Sequence, residues 1–182
     1  MSDLTPADPV TILRGIEAAC RLCNTANLQQ SDETFSDWSG IAFRVGNNNL
    51  LAPLDAVVEI LEMPRLARVP LAQPWVLGIA NIRGNLLPVV DISVFLGGEE
   101  TSTGSKSRVL VIDHNGVYSG LVVDEVYGLK HFMESESAES SPDVDEFLLQ
   151  YVSTGFRRDG KEWREFSLTA LAETPQFMLA AV

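Results

Sequence analysis

Two periodicities divide this chain. Near the N-terminus, apolar residues return every three or four positions (Val10, Leu13, Ile16, Cys20, Cys23), the spacing that gives a helix one apolar face. Thr5 or Asp8 can cap that helix, with Pro6 or Pro9 in its first turn. Ser31, Asp32, Glu33 and Thr34 read as a polar linker, so the expected division is a helical extension over residues 1–36 and a second unit over residues 37–182. From Ile41 the period falls to two, and the rest of the chain reads as short strands.

Apolar runs at residues 41–45 and 50–54 flank Gly46 and three asparagines, which accept positive φ and suit a hairpin turn. Pro64, Pro70 and Pro74 break the next stretch into a loop that delivers Trp75 to a tight strand–turn–strand unit. In that unit, runs at 78–82 and 86–91 flank Arg83-Gly84-Asn85. Gly97-Gly98 ends a short helical turn, and residues 99–107 form a polar surface loop. Runs at 108–113 and 117–124 flank His114-Asn115-Gly116, and residues 126–132 supply a further strand. Residues 133–146, acidic and serine-rich, read as a mobile loop. Strands at 147–156 and 162–168 meet at an Asp159-Gly160 turn, and residues 168–171 and 177–179 read as short docking helices. The pattern predicts a mainly β class built of small barrels, without fixing their number.

Composition adds exclusions. Hydrophobic residues make up 46% and charged residues 21%, an ordinary globular balance. A net charge of −12 repels phosphate backbones and anionic headgroups, so nucleic acid and membrane surfaces are poor partner choices. The one basic cluster, Arg157, Arg158, Lys161 and Arg164, is interleaved with Asp159, Glu162 and Glu165 and reads as a hairpin laced with ion pairs. No apolar run approaches the roughly 20 residues of a membrane span, and the first residues lack the features of a signal peptide. The expectation is a cytoplasmic protein without direct membrane insertion, its cysteines reduced.

Candidate chemistry is sparse. Cys20 and Cys23 form a C-x-x-C inside the expected helix, where apolar packing explains them better than redox or metal chemistry; His114 and His131, the remaining nitrogen donors, are distant. No serine sits in a G-x-S-x-G turn, and no phosphate-binding loop is present, so neither catalysis nor a cofactor is expected. Arg83 is the residue that stands out. It either pairs internally, with Glu59 or Asp91, or presents its guanidinium to a partner, and one role does not exclude the other. Val57 and Glu59 alternate with Val58 and Ile60, so one pair faces in and the other out.

Gly78, Asn81, Arg83 and Gly84, followed by Pro88-Val89-Val90-Asp91-Ile92 and Leu96-Gly97, resemble the motif of CheW-like domains, the coupling modules of bacterial chemosensory arrays. Gly120, Val123, Asp124 and Val126 match the family's G-x-x-V-D-x-V strand, and Val57, Glu59 and Ile60 its V-x-E-I segment. Ile82 stands where many members carry leucine. The resemblance spans about residues 39–171. It implies two five-stranded, SH3-like barrels on a shared core, and a non-enzymatic adaptor between a methyl-accepting chemotaxis receptor and a CheA-type histidine kinase, recruited to receptor arrays at the inner membrane. Arg83, Val57, Glu59, Leu54 and Leu129 would border the receptor groove, and Ile41, Phe43 and Leu50 would offer a kinase surface. With its N-terminal helix and acidic loop the chain is similar to the coupling proteins of type IV pilus systems, which control twitching motility. The other reading is a small β-barrel protein- or peptide-binding module outside such arrays.

Overall fold

Eleven strands are laid out in two sheets in the computed structural model, which describes residues 38–138 and 146–181. The expected N-terminal helix, the Cys20–Cys23 pair and residues 139–145 of the acidic loop lie outside the described residues. The described residues belong to one compact unit, Asp37–Val182.

The first sheet takes strands from both ends of that unit: β1 (Trp38–Val45), β2 (Asn48–Pro53), β8 (Glu125–Phe132), β9 (Ser137–Ala138), β10 (Val152–Arg158) and β11 (Lys161–Phe166), in the order β8-β1-β2-β11-β10-β9. The second is built from the middle: β3 (Glu59–Glu62), β4 (Val76–Ile82), β5 (Asn85–Asp91), β6 (Arg108–His114) and β7 (Val117–Val123), in the order β3-β6-β7-β5-β4. Parallel pairs β2–β11 and β5–β7 join segments distant in sequence.

Each sheet closes on itself through one bent chain passage. β8 and β9 lie at opposite edges of the first sheet, yet one 3-10 turn (Glu134–Glu136) separates them along the chain. One passage therefore pairs with β1 at one end and β10 at the other. Counted by passages, this six-strand sheet is the five-stranded barrel that the resemblance implies. In the second sheet the chain leaving β3 reaches β4, where Ala67 and Ile79 exchange two backbone hydrogen bonds of 2.9 Å. Gly78 permits that approach: a Cβ there would lie 2.5 Å from the Ala67 carbonyl oxygen, at a β-bulge between Val76 and Gly78.

Three cores follow from strict alternation. Ala42, Leu51, Phe132, Phe156 and Trp163 fill the first barrel, and Ala80, Leu87, Val89, Val109, Val111 and Val122 the second. Outward-facing residues of both barrels form the third, shared core. Ile41, Phe43 and Leu50 meet Val90, Leu110 and Leu121 there, covered by α2 (Leu168–Ala172) and by Phe177 of α3 (Pro175–Ala181). β1 is thus buried on both faces.

Two sequence expectations change here. Residues 133–138 are structured, not part of a mobile loop. The Glu136 carboxylate takes a bidentate pair of hydrogen bonds from Arg158, one of them from Nε at 2.6 Å, and accepts the Met133 backbone N–H at 2.9 Å. Arg158 also lies 4.7 Å over the Phe132 ring. The strand expected from residue 147 begins at Val152, because Leu148 and Tyr151 turn into the shared core.

Candidate functional site: the rim of the shared core and the Arg83 hairpin

The β4–β5 turn is built on Arg83 and Gly84, with φ of 53° and 93°. Positive φ at both central residues defines a type I′ hairpin, a geometry that favours asparagine, aspartate or glycine first. Asn115-Gly116 and Asp159-Gly160, the other two turns with positive φ at both positions among the described residues, obey that preference. Arginine does not, and a left-handed conformation costs an L-residue roughly 1–2 kcal/mol. The turn is held by Asn81, whose Oδ1 accepts the Gly84 N–H at 2.9 Å. Three residues of the motif are therefore structural: Gly78 closes the barrel, Asn81 buttresses the turn and Gly84 permits it. Arg83 alone projects, its side chain 79% exposed, with Nη2 donating to Glu59 Oε1 at 2.7 Å.

Of the two internal partners expected for Arg83, Glu59 is the one found. Asp91 sits at the opposite end of β5, buried, and caps α1 (Ile92–Phe95). Its oxygens accept the backbone N–H groups of Ser93 and Thr101 at 3.0 and 2.8 Å, and the Thr101 hydroxyl at 2.8 Å. That carboxylate is fully committed to tying the loop after α1 to β5.

Register settles which way β3 faces. Ile60 lies opposite Leu110, Leu110 opposite Leu121, and Leu121 beside Val90, so these four share a face. The last three belong to the shared core, and Ile60 is its outer end. Val58 precedes β3 and is exposed, while its neighbour Val57 turns in against the shared core. Glu59 and Leu61 point the other way, toward the interior of the second barrel. On the first barrel, Leu129 lies opposite Ile41 and Ile41 opposite Ala52; Leu54 stands two residues beyond Ala52, in a 3-10 turn (Leu54–Ala56). Leu54, Val58, Ile60 and Leu129 are 38–60% exposed. Ile60 and Leu129 lie opposite shared-core residues, and Leu54 and Val58 are exposed just before β3, so the four outline an apolar rim at the edge of the shared core; Glu59, on the other face of β3, holds Arg83.

Leu54 and Leu129 thus lie on this rim, and Glu59 beside it, tethering Arg83. Val57 is half-buried and packs against the shared core. Sequence reasoning left undecided which of Val57, Val58, Glu59 and Ile60 face out, and so did not single out Val58 and Ile60 as the exposed ones. In Val-Val-Glu-Ile-Leu-Glu both parities carry apolar residues, and only the pairing partner Leu110 breaks the tie. The expected kinase surface is overturned: Ile41, Phe43 and Leu50 are at most 7% exposed. They point into the shared core because β1 and β2 are covered on both faces, so they offer a partner nothing to touch.

Other candidates resolve into structure. Asp124 accepts the Gly46 N–H at 2.7 Å and so pins the β1–β2 turn. Arg157, Arg158 and Arg164 are tied to Glu162 or Glu136, as an ion-paired hairpin requires. Hydrogen bonding from Arg158, and then from the Met133 N–H, lowers the Glu136 pKa below the usual carboxylate value, and the same pair raises that of Arg158. Among the described residues no three His, Cys, Asp or Glu side chains converge on a metal-sized site, and no helix is long and apolar enough to cross a membrane.

Two closed barrels on a shared core are the architecture of the CheW-like class, and the chain belongs to that family. The CheW-like domain model matches residues 39–174. Protein PilI of Pseudomonas aeruginosa is 38% identical over 182 residues, covering 100% of both chains. Chemotaxis protein CheW of Bacillus subtilis is 29% identical over 57% of this chain and 65% of its own. The crystal structure of scaffolding protein TtCheW from Thermoanaerobacter tengcongensis has the same fold, with a TM-score of 0.63 at 23% identity over 75% of this chain and 93% of that one.

Proposed function

We propose that this chain is a non-enzymatic adaptor that couples a methyl-accepting receptor to a CheA-type histidine kinase. The observation that carries the reading is the exposed rim of Leu54, Val58, Ile60 and Leu129 beside a strained, projecting Arg83. An apolar strip flanked by a fixed cation suits one face of an amphipathic helix, with contacts every three or four residues and a carboxylate toward Arg83. The occupant is the helical hairpin tip of the receptor. The chain works on the cytoplasmic side of receptor arrays at the inner membrane, without a cofactor. It transmits state by contacts that favour one arrangement of the kinase over another.

The pathway we assign is the type IV pilus chemosensory system that governs twitching motility. End-to-end similarity to Protein PilI supports it, because the alignment to CheW of B. subtilis spans only 57% of the chain. The test is sedimentation of a soluble receptor hairpin fragment with the kinase regulatory domain, with and without this chain. Co-migration of the two partners only when the chain is present is expected. Equal co-migration without it would remove the adaptor role.

A further inference from the structure

An adaptor needs a second surface, separate from its groove, and the kinase candidates Ile41, Phe43 and Leu50 are buried. The structure offers a replacement in the chain between β3 and β4. From Met63 to Val90 there is no acidic residue and there are three arginines, in a protein with 25 acidic side chains. Two of them, Arg65 and Arg68, lie on an exposed arm that runs to Pro74. Neither makes an ion pair or a side-chain hydrogen bond among the described residues. At the arm's tip Leu71 is fully exposed and holds φ of 59°, with Val69 also exposed nearby. A shallow hollow of about 330 Å³ runs beneath, lined in part by Arg68, Leu71 and Pro74.

This arm is held rigidly at both ends. The Ala67–Ile79 bridge fixes its start; at its end Val76 N–H donates to the Gln73 carbonyl at 2.9 Å and Asp91 N–H to that of Trp75 at 2.8 Å. Pro70 and Pro74 stiffen what lies between. A leucine kept in a left-handed conformation, with its side chain wholly in water, gains nothing in the free protein. Its geometry is that of a pre-formed anchor, which binds with little ordering entropy. The arm's tip leaves the groove free: past the Ala67–Ile79 bridge, Arg68 to Pro74 lie at the Val76 end of β4, and Arg83 follows the far end of that seven-residue strand, roughly 20 Å along it.

Resting on the adaptor reading above, we infer that the Arg65–Pro74 arm is the docking surface for the adaptor's second partner, a protein face with an apolar socket for Leu71 rimmed by carboxylates for Arg65 and Arg68. In the proposed system that partner is the regulatory domain of the kinase. Charge selects it: the arm is the acid-free projection of a strongly acidic chain, so it is drawn to an acidic face and away from a basic one.

The test titrates that regulatory domain calorimetrically into the full-length wild type, Leu71→Gly and Arg68→Glu, with thermal melts and receptor-fragment binding measured alongside. Each variant is expected to weaken kinase binding at least ~10-fold and leave receptor-fragment binding unchanged. Leu71→Gly should keep or raise Tm, because it removes a strained side chain; a merely structural residue would lower it. Wild-type affinity should fall as salt rises from about 50 to 300 mM. Kinase binding by wild type and both variants alike would overturn this assignment and leave the adaptor reading standing. No binding by a folded wild type would overturn the adaptor reading itself, and this inference with it. Retention of wild type on 3:1 phosphatidylcholine–phosphatidylglycerol vesicles, lost in Leu71→Gly, would overturn it in favour of a lipid surface.

Discussion

Replacing Arg83 by asparagine separates what the arginine does for the fold from what it does for binding. Two terms oppose each other. The substitution removes an ion pair at a side chain 79% exposed, a pair worth about 0–1 kcal/mol after solvent screening. It also replaces a residue strained at φ 53° by one that tolerates the left-handed region, a relief on the order of 1 kcal/mol. The net change in unfolding free energy should be within about 0.5 kcal/mol of zero, or a small gain. Urea denaturation should show an unchanged slope and a midpoint equal to or above that of wild type. Calorimetry with the receptor hairpin fragment should show binding weakened at least ~10-fold. A loss of stability above about 2 kcal/mol, with receptor binding retained, would make the Arg83–Glu59 pair a structural clamp and refute the reasoning.

Other outcomes follow from the same geometry. Gly78→Ala should cost about 2 kcal/mol or more, read from urea midpoints, because the new Cβ meets the Ala67 carbonyl at 2.5 Å. Phe43→Ala, a fully buried shared-core side chain, should cost about 3–5 kcal/mol and disturb kinase binding only as far as it unfolds the protein. The Glu136–Arg158 clamp should be sensitive to acid. The folded pKa of Glu136 lies below its ordinary value of 4.5, so the clamp's contribution is complete above that value and is lost as pH falls through the folded pKa. The difference in Tm between wild type and Glu136→Gln should therefore be largest near neutrality and vanish at low pH.

The strands and turns of the second barrel were legible because their signals are local: glycine and asparagine at positive φ, and alternation between them. The motif around Arg83 was legible as a unit, although most of its residues serve the barrel. What failed was anything decided by a distant partner. Ile41, Phe43 and Leu50 alternate as half-buried strand residues would, and nothing local reveals that a second barrel covers their outer face. Val58 and Ile60 were undecided until Leu110, some 50 residues on, set the register. The chain after Phe132 reads as a mobile acidic loop by composition, yet Glu136 there is held by an arginine 22 residues away. The Leu71 arm reads simply as a proline-broken loop, since neither its positive φ nor its full exposure is written in the residue types.

The most direct test of the central claim is calorimetric titration of the receptor hairpin fragment into wild type and into Val58→Glu/Ile60→Glu, with circular dichroism melts of both. Val58 is 60% and Ile60 38% exposed, so the double variant should fold cooperatively, with a Tm somewhat below that of wild type. If the rim is the receptor groove, wild type binds saturably and the double variant fails to bind. If a well-folded double variant binds as tightly as wild type, the groove assignment is wrong.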